Sequence, residues 1–144
     1  MRKLRDRVSL ETLKSSPEST WIVDVAIIHS AGQSWHCALV QDLKTKRVLG
    51  WATAPDADPT LMRQAVERAC TRSVRTRPSN LYLDAGIANS APQVISALAC
   101  KEFQLRFMAG KELSLLRPLE NVWRDLQARF TADGAAPTND DWFD

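Results

Sequence analysis

Three carboxylates carry the chemistry available to this chain. Asp24 interrupts the apolar run Trp21-Ile22-Val23-Asp24-Val25-Ala26-Ile27-Ile28, Asp84 closes the segment Leu81-Tyr82-Leu83, and Glu120 follows after thirty-five intervening residues, beside Pro118. A carboxylate inside a strand-like run costs free energy unless it is paired, protonated or bound to a cation. Carboxylate oxygens are hard donors suited to Mg²⁺, which keeps several of its waters and needs only two or three protein ligands. Each acid also has a plainer reading. Asp24 could pair with a lysine or arginine, Asp84 could stabilise the turn that follows it, and Glu120 could complement the positive end of a helix dipole.

The elements that must position these residues follow from the hydrophobic pattern. Residues 20–30 read as a buried strand, 31–34 as a turn, 35–43 as a second strand, 42–46 as a further turn and 47–53 as a third strand. The period then changes. Asp58 is placed to cap a helix with Pro59 at its first position, and Leu61, Met62, Ala65, Val66, Ala69 and Cys70 recur at helical spacing. A fourth strand covers 80–84, and Ser90-Ala91-Pro92-Gln93 has capping-box spacing for a second helix over 90–99. A fifth strand covers 103–108, and a loop over 109–117 leads to a last helix with Leu119, Val122, Trp123, Leu126 and Phe130 on one stripe. The order βββ-α-β-α-β-α predicts an α/β domain with a five-stranded mixed sheet flanked by helices.

A length of 144 residues suits one domain. Its 44% hydrophobic and 25% charged residues describe a globular protein, and neither a membrane-length apolar run nor a secretion-signal pattern behind Met1-Arg2-Lys3 is present, so an intracellular location, cytoplasmic or on the nucleoid, is expected. The net charge of +2 conceals an asymmetry: all 19 lysines and arginines precede residue 131, leaving the body at +6, while the end of the chain adds only Asp133, Asp140, Asp141 and Asp144. The division expected is a basic arm over 1–19, a core over 20–131 and an acidic, flexible tail over 132–144. A basic body is compatible with phosphate binding. Cys37, Cys70 and Cys100 form no Cys-x-x-Cys pair and read as reduced core thiols, and His29 and His36 lack the spacing of a zinc site.

The blocks around the three acids bear a resemblance. Trp21-x-x-Asp24-Val25, then Leu39-Val40-x-Asp42-Leu43, then Val48-Leu49-Gly50-Trp51-Ala52 resemble the first half of an integrase core of the retroviral and insertion-sequence type. Leu81-Tyr82-Leu83-Asp84 resembles the strand of the second aspartate. Pro118-Leu119-Glu120-Asn121-Val122-Trp123 resembles the third block, and also the Pro-Ile-Glu-Asn-x-Trp block of mariner-type transposases. The chain departs from these patterns at Asp84-Ala85-Gly86, where integrases often carry Asn-Gly or Arg-Gly, and at Met108-Ala109-Gly110-Lys111-Glu112, where mariner-type enzymes have a Pro-rich loop. No segment has the length of the helix-turn-helix module that transposases carry ahead of the core, so an excised core, a truncated element or a domesticated domain is expected.

The resemblance implies a ribonuclease H-like fold and the DDE catalytic set, with Asp24, Asp84 and Glu120 holding two Mg²⁺ or Mn²⁺ ions. It implies metal-dependent phosphodiester cleavage and strand transfer on double-stranded DNA, by a homodimer or higher oligomer. Lys111, Arg124 and Gln127 would contact DNA, the last two sharing a helical face with Glu120. Two alternatives stand beside it. A ribonuclease H-type nuclease would use Asp24, Glu67 and Asp84, with Asp125 a poorer fourth member; a non-catalytic module would bind DNA or protein through the same fold. Arg72, Arg75 and Arg77 read as solvated surface or a nucleic-acid contact, and Trp21, Trp35, Trp51 and Trp123 as packing.

Overall fold

In the computed structural model, which describes residues 20–58, 60–72, 80–84, 104–108, 114 and 116–133 with the side chains of Asp84 and Asp133 excepted, the chain runs β1 (Thr20–Ser30), β2 (Gln33–Asp42), β3 (Val48–Ala54), α1 (Leu61–Arg72), β4 (Asn80–Asp84), β5 (Gln104–Met108) and α2 (Arg117–Asp133). The strands form one sheet in the order β3-β2-β1-β4-β5. β1, β2 and β3 pair antiparallel, whereas β1 with β4 and β4 with β5 pair parallel. This is the mixed sheet that the element order predicts. The arm over 1–19, the helix expected over 90–99 and most of the tail lie outside the described residues; α2 itself continues to Asp133.

Boundaries moved where turn chemistry was tighter than expected. Ala31 and Gly32 both take positive φ, 53° and 75°, as a two-residue hairpin loop requires. Ser30 therefore faces Gln33, and β2 begins two residues earlier than the alternation suggested. At the next turn the Asp42 carboxylate accepts the Lys44 and Thr45 backbone N–H groups at 2.8 and 3.0 Å. Ahead of α1, Asp58 accepts the N–H of Thr60 at 2.8 Å and its hydroxyl at 2.7 Å, satisfying a donor that the helix start leaves over. These bonds, the hydroxyl's first, hold the Asp58 carboxyl below the usual carboxylate range.

Strand alternation divides the core into two layers. Trp21, Val23, Val40, Ala52, Leu81 and Leu83 face α1, while Ile22, Ile28, Leu39, Trp51, Tyr82 and Met108 share the other layer with Leu119, Leu126 and Phe130 of α2. Cys37 and Cys70 are buried free thiols, and burial pushes the Cys37 thiol up to about 12, as suits an inert core residue. On the edge strand β3, Arg68 donates to the Trp51 carbonyl at 2.8 Å and the Arg72 guanidinium lies 4.8 Å from the centre of the Trp51 ring. Arg72 is exposed, as expected of a surface residue, and lies over the Trp51 ring of the edge strand. Among the described residues no helix is long and apolar enough to cross a membrane.

The Leu49-Gly50-Trp51-Ala52 step has a steric reason. α1 approaches β3 so closely that a Cβ at Gly50 would collide with the Ala65 carbonyl oxygen and would lie 2.7 Å from the Ala69 nitrogen and 2.9 Å from its Cβ. Backbone atoms cannot swing aside as side-chain ends can. Gly50→Ala is expected to destabilise the domain by about 1–3 kcal/mol, read from urea unfolding; unchanged stability would contradict this packing.

Candidate metal centre

The first two acids are brought together by register. The parallel ladder between β1 and β4 pairs Thr20 with Asn80, Trp21 with Leu81 and Ile22 with Tyr82, and goes no further. Asp24 and Asp84 each stand two residues beyond that last pair. The two positions are thus at matching offsets along β1 and β4, just past the point where the strands part. Asp84 is also the last residue of β4, opposite Met108 of β5. Crevices at the carboxyl ends of parallel strands are where open α/β sheets place their sites.

Asp24 follows the alternation of Ile22 into the layer that α2 covers, and there it meets an indole. Trp123 Nε1 donates to Asp24 Oδ2 at 3.1 Å. An indole N–H only donates, and an ionised carboxylate only accepts, so the two are matched partners. The sequence offers a bound cation, or a lysine or arginine, as reasons for Asp24, and reads Trp123 as packing. The structure gives Trp123 both roles: it is partly buried against the apolar layer while its nitrogen holds the acid.

One turn further along, Gln127 fastens α2 to β1 a second time. Its Oε1 accepts the His29 N–H at 2.8 Å and its Nε2 donates to the His29 carbonyl at 2.8 Å, as a neighbouring strand would. By the end of β1, β4 is gone, and the carboxamide stands in for it. Ser30 Oγ reaches the Phe130 carbonyl at 3.5 Å, a marginal distance. The amide of Gln127, expected on DNA phosphate, is thus engaged with β1. His29 Nδ1 lies 3.1 Å from Ser34 Oγ, a local surface contact.

Glu120 occupies the first turn of α2 and is exposed. Three residues of helix separate it from Trp123, a rise of about 4.5 Å on nearly the same face. Glu120 thus stands about one turn before the residue that bonds Asp24. Arg124, a turn after Glu120, is exposed, as is Asp125. Glu67 is not drawn in the same way: it lies on α1, against the opposite layer, with its carboxylate 4.0 Å from Arg63 Nε. Lys111, Arg75 and Arg77 lie outside the described residues.

Among the described residues no three His, Cys, Asp or Glu side chains form a ready metal-binding group. The Asp84 side chain, the expected third member beside Asp24 and Glu120, lies outside that description. The donor chemistry fits a hard divalent cation, because all three expected ligands supply carboxylate oxygen and neither sulfur nor imidazole is among them.

Solved structures share this architecture. The HTLV-2 integrase catalytic core domain in complex with magnesium superposes in its trimeric form with a TM-score of 0.61 at 14% identity, over 84% of this chain and 77% of that one. The dimeric form gives 0.60 at 14% identity, over 81% and 74%. A chain of the simian T-cell lymphotropic virus intasome in complex with PP2A regulatory subunit B56 gamma gives 0.67 at 13% identity, over 85% of this chain and 44% of that one. No protein-family model and no curated protein matches the sequence. At such identities the shared property is the fold, and this chain has the ribonuclease H-like fold of retroviral integrase catalytic cores.

Replacing Gln127 by Leu removes both hydrogen bonds to His29 while keeping an apolar stem on α2. The expected loss is about 1–2 kcal/mol of unfolding free energy, measured by chemical denaturation. A variant as stable as the parent would mean that the clamp does not hold the helix.

Proposed function

We propose that this chain is the catalytic core of a DNA integrase or transposase, cutting phosphodiesters and transferring strands with the help of divalent metal. The observation that carries the reading is positional: Asp24 and Asp84 stand at equal offsets beyond the last β1–β4 pair, and α2 is seated on Asp24 by the residue one turn from Glu120. Asp24, Asp84 and Glu120 would hold two Mg²⁺ or Mn²⁺ ions. Such a pair, when bound, polarises the scissile phosphate, activates an oxygen nucleophile and stabilises the leaving oxygen.

The protein's own contribution is placement and charge. Asp24 and Asp84 would offer oxygens from two neighbouring strands, just past their last shared pair, and Glu120 would offer a third from a helix bonded to one of them. Three converging acids repel one another and any phosphate until cations neutralise them, which makes the site metal-dependent by construction. Arg124 and Lys111 supply guanidinium and ammonium groups for the DNA backbone, and the +6 body draws the duplex in. A water or a DNA 3′-hydroxyl attacks phosphorus directly, so no covalent protein–DNA intermediate is needed. The acting unit is a homodimer or larger assembly on double-stranded DNA, in the cytoplasm or on the nucleoid; support for assembly is the dimeric, trimeric and intasome states of the proteins with the same fold. Glu120 is preferred to Glu67 as the third ligand because the helix of Glu120 touches Asp24 and that of Glu67 packs on the other layer.

Asp84→Asn is expected to lower Mg²⁺- or Mn²⁺-dependent nicking of supercoiled plasmid by more than about 100-fold, with the apparent melting temperature without metal preserved. Full nicking by the folded variant would overturn the assignment.

A further inference from the structure

We infer that Trp123 is a positioning residue of the metal centre, acting through Asp24; the inference rests on the metal-site reading above. Its indole N–H meets the carboxylate across 99 residues of sequence, at 3.1 Å, where β1 has lost β4 as a neighbour. Asp24 there sits partly buried in the middle of β1, still paired with Leu39 of β2 but past the last β1–β4 pair. A carboxylate with no paired β4 neighbour beside it has several rotamers to choose from, and a fixed donor selects one.

The indole N–H carries no charge of its own, so it orients the acid without neutralising it. It takes one of the roughly four lone-pair sites of an ionised carboxylate. The ring is held in turn: α2 packs on the sheet through Leu119, Leu126 and Phe130, and Gln127 locks the next turn to His29. Trp123 therefore transmits the docking of α2 to the acid, and the same bond keeps Glu120 one turn away. Side chains that hydrogen-bond metal ligands in this manner typically govern metal affinity by 10–100-fold.

The test compares wild type, Trp123→Phe and Val122→Ala by Mg²⁺ titration, following both the melting temperature and the indole N–H resonances, with the Trp123 signal assigned through the backbone. Phe keeps most of the ring packing and removes the donor; Val122→Ala loosens packing on the same helix and leaves the donor. The expected result is a Mg²⁺ midpoint at least about 10-fold higher in Trp123→Phe, unchanged in Val122→Ala despite its lower melting temperature, and a Trp123 indole signal that shifts in wild type with the same midpoint as the melt. A wild type that responds to Mg²⁺ while Trp123→Phe keeps its midpoint, or while the Trp123 signal stays still, overturns the role of Trp123 alone. A wild type without any Mg²⁺ response overturns the metal-site reading itself. If Trp123→Phe does not fold, the wild-type indole signal decides between these outcomes.

Discussion

The parallel ladder between β1 and β4 stops at the Ile22–Tyr82 pair, and much else in the domain is arranged around that stop. Up to it, β1 is a central strand buried on both faces, with Trp21 and Ile22 fully covered. After it, β1 keeps only β2 as a strand partner among the described residues, and Val25 and Ile27 emerge to 38% and 52% exposure. A strand that loses a neighbour leaves hydrogen-bonding groups that something else must satisfy. α2 does so with side chains: Gln127 takes the backbone of His29 and Trp123 takes the carboxylate of Asp24.

The same constraint explains how an aspartate persists in an apolar run. Fully buried and unpaired, Asp24 would cost several kcal/mol. It sits instead at the first position where the sheet opens, partly buried and hydrogen-bonded. On the opposite layer Gly50, Ala65 and Ala69 let α1 lie close against β3, while Val25 and Ile27 of β1 stay exposed on that face. α1 thus covers β3 through small residues, and α2 carries polar groups to β1 on the other face.

Much of this architecture was legible in the sequence because it is written locally. The apolar run of β1, the Asp58 cap and the helical stripes of α1 and α2 each depend on residues within a few positions, and all appeared where periodicity put them. The Leu-Gly-Trp-Ala step was legible as a motif, but its cause, the contact with Ala65 and Ala69, required the fold. The partners of Asp24 and His29 were not legible, because each bond spans nearly a hundred residues and depends on the angle at which a helix crosses a strand. One clue was present: a strand aspartate needs a donor, and Trp123 is a donor one turn from the glutamate suspected of sharing its site. Arg72 is exposed as expected, but its stacking on Trp51 was not legible, since it follows from β3 being an edge, which only the strand order reveals.

The central claim is spatial: one divalent-metal centre is shared by the middle of β1, the end of β4 and the first turn of α2. The direct measurement is a crystal grown with Mn²⁺ and examined for anomalous scattering. The account predicts Mn²⁺ density about 2.1 Å from carboxylate oxygens of Asp24, Asp84 and Glu120, with the Trp123 indole still on Asp24. Density away from these residues, or Mn²⁺ held without Glu120, would contradict it.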